Sequence, residues 1–250
     1  MPVYDNRPSL RGDRGAHFIF EAGGRTIVYC YIRKNACTAF KRLICDESPH
    51  REQIGESRDE FQFMRRFHRV ISHDDFDRAD HVLFIYRDPM ERAASLFRDK
   101  FIRRSGHEHI FESFETRTGS SPEEATFTRF AEDYLGGEGG VLDPHCTPQA
   151  DHLFPIRYSD AIAMRDLGAA MPGIIGDELG AKYFGRPINA APKNEYHDPC
   201  GDTPSARLHL RFQETGQVPS IAALAGERAV AAIRSFYAGD YQLVEQLGIA

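Results

Sequence analysis

Two apolar runs, each followed within a few residues by a helical pattern, constrain the fold of this chain most strongly. Arg25–Ile32 and His81–Tyr86 are continuous runs of β-branched and aromatic residues, which is typical of strands that are buried on both faces. A helical pattern begins at Ala39 after the first run and at Pro89 after the second. Two strand–turn–helix units of this kind predict an α/β fold with a central parallel sheet flanked by helices.

The helix after the second run carries a clear start signal. Asp88 is a typical N-cap, Pro89 occupies the first helical position, and Glu91 stands where a capping box requires an acidic residue. One face of this helix is apolar, at Met90, Ala94, Phe97 and Phe101. The pattern therefore predicts a helix whose N-terminus lies directly after a strand.

Later elements are predicted from weaker patterns. Phe127–Leu135 and Ala222–Tyr237 have helical spacing, and Leu153–Tyr158 is predicted as a short strand. Pro155 confines that strand to an edge or a bulge, because proline has no amide hydrogen to donate.

Two further stretches, Arg103–Glu124 and Gly185–Ser205, are polar and long. Their length and composition predict functional loops rather than simple connections.

Composition excludes several classes of protein. The 250 residues are 41% hydrophobic and 27% charged, unlike disordered, collagenous or coiled-coil chains. The formal net charge of −6 argues against a general nucleic-acid-binding surface. The N-terminus lacks the apolar core of a signal peptide and no apolar run has the length of a membrane span, so we expect a soluble, cytoplasmic protein. The five cysteines have no Cys-x-x-Cys spacing and are expected to be reduced thiols rather than a disulfide framework or zinc site.

The two turns that follow the strands are candidate anion sites, because open α/β sheets bind ligands at the carboxyl ends of their strands. The first turn, Arg33-Lys34-Asn35-Ala36-Cys37-Thr38, combines two cations, small residues and a hydroxyl at a helix N-terminus. The second places Arg87 at a strand end and Ser95 about two helical turns further on, so that both can reach one phosphate. Together they predict a ligand with two separated phosphates. The chain has neither a Walker A loop nor a Gly-x-Gly-x-x-Gly motif, which argues against a plain ATPase and a dinucleotide enzyme.

At these residues the chain resembles the carbohydrate sulfotransferases. Ile32–Arg42 is similar to their 5′-phosphosulfate-binding loop, commonly Pro-Lys-Val-Ala/Gly-Cys/Ser-Thr-x-x-Lys-Arg. Phe84–Phe101 is similar to their 3′-phosphate-binding segment, Arg-Asp/Glu-Pro-x-x-Arg-x-x-Ser-x-x-x-x-Lys-Phe. The match is closest to the Golgi chondroitin and HNK-type enzymes, and it extends to the uronyl 2-O-sulfotransferases.

The resemblance covers roughly Arg25 to Gly248, with weaker similarity at Asp143–Gln149 and Ser235–Tyr241. Arg33 departs from the family pattern, which usually has proline at that position. A second departure is Cys146, which follows His145 where the family often has tryptophan.

The resemblance implies a P-loop-NTPase-like sulfotransferase fold, in one domain at residues 25–250 after an N-terminal extension at residues 1–24. It implies transfer of a sulfuryl group from 3′-phosphoadenylyl sulfate (PAPS) to a hydroxyl of a carbohydrate or another hydroxylated acceptor, with no metal required. The donor loop, Arg33, Lys34, Asn35, Ala36, Cys37 and Thr38, would hold the 5′-phosphosulfate, with Lys34 acting in catalysis. Arg87 and Ser95 would hold the 3′-phosphate.

An acceptor hydroxyl also needs a general base. His73 is the first candidate, because Ile71–Phe76 resembles the segment around the catalytic histidine of the uronyl 2-O-sulfotransferases and places aspartates beside the ring. His145 is the second candidate and His68 the third.

Other interpretations stay open at the level of sequence. One alternative is that the chain is a P-loop-like nucleotide kinase. Another is that it is a non-catalytic relative that binds nucleotide. The basic residues Arg98, Lys100, Arg103 and Arg104 are either a solvated helix end or a surface that recognises an anionic acceptor. The sequence leaves the acceptor and the oligomeric state undefined.

Overall fold

The computed structural model describes residues 15–57, 59–185 and 194–248. The strands are β1 (His17–Ala22), β2 (Arg25–Cys30), β3 (His81–Tyr86), β4 (Asp160–Ala163), β5 (Glu195–Tyr196) and β6 (Val218–Pro219). The α-helices are α1 (Cys37–Glu47), α2 (Glu60–Phe67), α3 (His73–Asp77), α4 (Pro89–Phe97), α5 (Glu108–Thr118), α6 (Phe127–Arg129), α7 (Leu167–Ile175), α8 (Asp177–Phe184), α9 (Ser205–Thr215), α10 (Ile221–Leu224), α11 (Glu227–Phe236) and α12 (Ala238–Leu247). Short 3₁₀ helices lie at Arg51–Glu56, Pro122–Glu124, Ala150–His152 and Met164–Asp166, and π-helical segments at Arg98–Ile102 and Phe130–Leu135.

The described residues form two compact units. Residues 15–87, 149–185 and 247–248 belong to the first unit, and residues 88–148 and 194–246 belong to the second. The first unit is therefore assembled from separate segments of the chain, with residues 88–148 inserted between β3 and β4.

The first unit contains a four-stranded sheet in the order β1-β2-β3-β4. Strands β2, β3 and β4 run parallel, as expected from the strand–turn–helix units, and β1 pairs antiparallel with β2. The β1–β2 hairpin turns at Gly23 and Gly24, both of which have positive φ, as the tight turn of such a hairpin requires. The predicted mixed α/β architecture is confirmed. Strand β1 lies within the stretch assigned to an N-terminal extension, and the division into an extension and a single domain stays a prediction.

Helices cover both faces of this sheet. Side chains alternate between faces along a strand, so Tyr29 and Val28 enter different apolar clusters. On the Tyr29 face, the Phe40 ring of α1 stacks on the Tyr29 ring, with 3.9 Å between the ring centres. Helices α2, α7 and α8 add further apolar side chains to this face. On the other face Val28 packs with Phe76 of α3 and with Phe154. Burial on both faces explains why β2 and β3 are continuous apolar runs.

The second unit is mainly helical. The predicted start of α4 is confirmed, since the Asp88 carboxylate accepts a hydrogen bond from the Glu91 backbone N–H at 3.0 Å and Pro89 begins the helix. The expected apolar face of α4 enters the core of this unit, where the rings of Phe97 and Phe101 stack at 5.0 Å. The predicted helix at Phe127–Leu135 is also confirmed, as α6 followed by a π-helical segment.

The predicted strand at Leu153–Tyr158 is wrong. The segment is bent, since the backbone N–H of Ile156 donates to the Phe154 carbonyl and the N–H of Phe154 donates to the Tyr158 hydroxyl. Those two N–H groups are therefore used locally, and Pro155 has none to offer. The strand that pairs with β3 is β4, which begins two residues after the predicted strand ends.

Two other predicted segments differ from the structure. Arg103–Glu124 contains helix α5, because Ile110 and Phe114 are spaced one helical turn apart and are both buried. Ala222–Tyr237 is divided between α10 and α11. Of the predicted loop Gly185–Ser205, residues 186–193 lie outside the described residues.

Candidate functional site

The loop between β2 and α1, residues 31–36, has a backbone suited to anion binding. Lys34 and Ala36 have φ angles of 70° and 56°, in the left-handed region that residues other than glycine seldom adopt. Ala36 is the N-cap of α1, and its side chain offers no capping oxygen. Within the described part of the chain, the backbone N–H groups of Ala36, Cys37 and Thr38 have no acceptor. The helix therefore begins with uncapped N–H groups, and these attract anions.

A buried amide pair holds this loop in place. Asn35 and Gln149 are fully buried, and the Asn35 Nδ2 group donates both to the Ile85 carbonyl at 2.7 Å and to Gln149 Oε1. Gln149 Oε1 also accepts from the backbone N–H of Arg87 at 2.9 Å, and its Nε2 group donates to the Arg87 carbonyl at 2.9 Å. Gln149 thus connects the β2–α1 loop to the end of β3. Sequence reasoning missed its role, since the one signal was its place in the weakly similar segment Asp143–Gln149.

Arg87 joins the same arrangement through its side chain. Its Nη1 group donates to the Lys34 carbonyl at 3.1 Å, so the structure brings together the two turns that the sequence singled out within the first unit. The parallel register of β2 and β3 explains this proximity, because the carboxyl ends of parallel neighbours lie at one edge of the sheet. Arg33 lies on the same loop, with its guanidinium carbon 5.8 Å from the ring centres of Tyr31 and Phe61.

Ser95 lies in α4 and belongs to the second unit, where its side chain is partly exposed. Arg87 belongs to the first unit. Their joint contact with a single phosphate stays a prediction.

The five cysteines are free. Burial raises the pKa of Cys45 to about 12 and raises the pKa of Cys30 and Cys146 further. These three residues are therefore neutral, buried thiols at physiological pH. Cys37 differs in its position, since it is partly exposed at the first residue of α1.

His73 is the first residue of α3 and is partly exposed. The nearby Asp75 carboxylate serves another purpose: it accepts from the backbone N–H groups of Ile71 and Ser72 at 2.9 and 3.2 Å and pairs with Arg78 at 2.9 Å. Asp75 therefore stabilises the start of α3 instead of orienting the His73 ring.

An aspartate holds the ring of His145. Asp143 Oδ1 lies 2.7 Å from His145 Nδ1 and accepts from the His145 backbone N–H at 2.8 Å. Since a carboxylate only accepts hydrogen bonds, Nδ1 carries the hydrogen, and the lone pair of the neutral ring is on Nε2. The buried Arg92 side chain donates to the His145 carbonyl at 3.0 Å and so supports the backbone of this segment. The spacing Asp-x-His is the sequence signal that could have identified the pair.

His68 is held by two other hydrogen-bond partners. Its Nδ1 atom lies 3.0 Å from the Ile19 carbonyl, and its Nε2 atom lies 2.8 Å from the Ser48 hydroxyl. Burial lowers the pKa of this histidine. Both ring nitrogens are engaged within the first unit, which gives His68 a structural role.

The described residues contain neither a candidate metal site nor a candidate membrane-spanning helix. Within residues 15–57, 59–185 and 194–248, no three His, Cys, Asp or Glu side chains form a group that could hold a metal ion. In the same ranges, no helix has the length and apolar character needed to cross a membrane.

Comparison with known proteins gives one match. Residues 17–158, more than half of the chain, match the family model described as the sulfotransferase family. This range includes β1 to β3, the β2–α1 loop, Arg87, His145 and Gln149. No curated protein and no solved structure matches the chain.

Proposed function

The chain belongs to the sulfotransferase family, and from this premise we propose that it transfers the sulfuryl group of PAPS to a hydroxyl of a carbohydrate or another hydroxylated acceptor. The observation that carries this proposal is the β2–α1 loop, with its uncapped N–H groups at the start of α1 and its contact with Arg87. Such a loop suits a donor that carries anionic groups at two positions.

The residues of the first unit fit the charged groups of PAPS. The N–H groups of Ala36, Cys37 and Thr38, together with the Lys34 ammonium, supply hydrogen bonds and positive charge for the 5′-phosphosulfate. Arg87, at the end of β3, supplies a guanidinium for the 3′-phosphate. Ser95, which belongs to the second unit, stays the second predicted contact of that phosphate. The 3′-phosphate contact would distinguish this donor from ATP and AMP.

The proposed chemistry gives each residue one task. His145 Nε2 accepts the proton of the acceptor hydroxyl as the oxygen forms a bond to sulfur. The bond between sulfur and the 5′-phosphate oxygen breaks, and its electron pair stays on that oxygen. Lys34 and the N–H groups of the loop stabilise the negative charge that develops there. Asp143 keeps the proton on Nδ1 and stabilises the imidazolium that forms. The contact with Asp143 supports His145 as the base, and His73 stays the alternative candidate.

The test of donor binding is calorimetric titration with 3′-phosphoadenosine 5′-phosphate (PAP), AMP and ATP, with and without magnesium. We expect PAP to bind without added metal and more tightly than AMP. Arg87→Ala should weaken PAP binding by about ten- to a hundredfold, because a charge-assisted contact to phosphate is lost, and should change AMP binding much less. Arg165→Ala is the control, since that side chain is 70% exposed on the same unit.

Three outcomes would contradict the proposal. Equal losses for PAP and AMP in Arg87→Ala would remove Arg87 from a 3′-phosphate site. Binding of ATP alone, and only with magnesium, would favour a nucleotide kinase. Failure to bind any of the three nucleotides would leave a family member that does not use this donor.

A further inference from the structure

The basic segment after α4 is buried to an extent that a solvated helix end would not require. Arg98 is 7% exposed and Lys100 is 9% exposed. Lys100 is satisfied locally, since its ammonium donates to the carbonyls of Ser105 and Gly106 at 2.5 and 2.9 Å. The interpretation of these two residues as part of a solvated helix end is therefore wrong. The contacts of Lys100 account for its burial, and those of Arg98 are different.

Arg98 makes one side-chain contact with an acceptor. Its Nη1 group donates to Glu195 Oε1 at 3.0 Å, while Nε and Nη2 are buried and have no acceptor among the described residues. Burial lowers the pKa of Arg98, and the positive charge of Arg103 lowers it further, although Glu195 acts in the opposite direction. Buried guanidinium donors without acceptors cost free energy.

Arg103 lies one π-helical turn further along the chain. Its backbone N–H donates to the Arg98 carbonyl at 2.9 Å, and its guanidinium carbon lies 6.0 Å from the centre of the Phe212 ring. Its Nε atom is buried without an acceptor, and across the described ranges no carboxylate pairs with this side chain. Of these two neighbouring guanidinium groups, only that of Arg98 pairs with a carboxylate among the described residues, that of Glu195.

Arg117 of the same unit shows what a purely structural arginine looks like. Its Nε group donates to the Tyr134 carbonyl at 3.0 Å, and its two terminal nitrogens donate to carbonyls of Gly137, Gly139 and Gly140. Every nitrogen of that guanidinium has an acceptor within the protein. The Nε and Nη2 groups of Arg98 and the Nε group of Arg103 lack such acceptors among the described residues, and an oxyanion from outside the chain would supply them.

We propose that Arg98 and Arg103 form an oxyanion-binding subsite of the second unit, which takes a carboxylate or sulfate group of the acceptor substrate. Both groups present paired oxygens that match the fork of a guanidinium. The π-helical segment Arg98–Ile102 places both arginines in one short stretch, and π-helical turns are frequent at functional sites. The assignment of the anion to the acceptor rests on the proposed sulfotransferase function, and it makes the acceptor an acidic or already sulfated molecule.

The test is titration of the full chain with sodium glucuronate, sodium sulfate and glucose, after saturation with PAP so that the donor site is filled. Glucuronate and sulfate represent the two oxyanion sources, and glucose is the neutral control. We expect either anion to bind and glucose to show no binding. Arg103→Gln should weaken anion binding by at least about tenfold. Arg98→Lys keeps the charge and removes the fork, and should also weaken it.

Arg228→Gln is the matched control, because it removes the same charge from an exposed arginine of the same unit. It should leave anion binding unchanged. Equal anion affinity in the wild type and Arg103→Gln would overturn the subsite, as would binding of an adventitious ion only, with no dependence on either arginine. PAP binding on the same samples tests the proposed function separately. If PAP fails to bind, the acceptor assignment is overturned, whatever the arginine variants show.

Discussion

Replacement of Gln149 by leucine is the perturbation that most directly tests how the β2–α1 loop is held. The change introduces an apolar side chain of similar size and removes the hydrogen bonds of the Gln149 amide with Asn35 and with both backbone groups of Arg87. Each partner then loses that bond in a buried or partly buried place, at a cost of roughly 1–3 kcal/mol per group. Since the three losses are coupled, we expect a total of about 3–6 kcal/mol.

The assay is urea denaturation of the wild type, Gln149→Leu and Gln62→Leu. Gln62 is an exposed glutamine of α2 in the same unit, so its replacement should change the free energy of unfolding by less than about 0.5 kcal/mol. Under conditions where Gln149→Leu is folded, its PAP affinity should fall by about tenfold, because Asn35 and Arg87 are no longer held in register. That second readout separates a positioning role from a merely structural one.

Gln149→Glu provides a further check on the reasoning. A protonated glutamic acid donates and accepts as the amide does, whereas a buried carboxylate only accepts. Burial raises the pKa of such a carboxyl above its unfolded value, so the folded variant should gain stability relative to wild type as the pH falls from 7 towards 5. A loss below about 1 kcal/mol in Gln149→Leu, with unchanged PAP binding, would refute the proposed connection.

The remaining predictions concern two histidines. Asp143→Asn should lower the turnover of PAPS with an accepted substrate by about a hundredfold or more, because the His145 ring loses the partner that fixes its tautomer. The PAP affinity of this variant should stay unchanged. A comparable loss of turnover in His73→Gln but not in Asp143→Asn would instead assign the base to His73. Burial lowers the pKa of His17 to about 4, so the unfolded state binds more protons than the folded state between pH 6.5 and 4. The contribution of neutral His17 to stability is present above pH 6.5 and is lost as the pH falls through that window. His17→Phe should therefore reduce the fall in unfolding free energy between pH 6.5 and 4 by up to about 3 kcal/mol. Replacement of His109, whose side chain is 94% exposed, is the control and should leave that fall unchanged. An unchanged pH profile in His17→Phe would contradict the lowered pKa of His17.

The elements that local patterns determine were predictable from the sequence. Strands β2 and β3 are continuous apolar runs, because the sheet is covered on both faces. The start of α4 follows from the side chain of Asp88 and the fixed φ of Pro89. The resemblance to sulfotransferases was based on the two strand–turn–helix segments, and the match of the chain to the sulfotransferase family confirms it.

The features that depend on distant residues were not predictable in this way. Strand β4 has the short sequence Asp160–Ala163, and its pairing with β3 decides its conformation. Gln149 acquires its role from Asn35 and Arg87, which are far away along the chain. The burial of Arg98 likewise follows from its contact with Glu195, 97 positions later.

The insertion of residues 88–148 between β3 and β4 has a consequence for the order of folding. Val82 and Ser159 are hydrogen-bonded across 77 positions, and the parallel pairing beside them forms only after the intervening chain has been made. Contacts of such long range carry a large loop-closure entropy and slow folding. The β2–α1 loop leaves the ribosome early, yet its partner Gln149 is synthesised only after the whole inserted segment. A nascent chain that ends before residue 149 therefore lacks the amide that joins its anion-binding loop to β3, and chaperone or protease access to that loop should fall when Gln149 emerges.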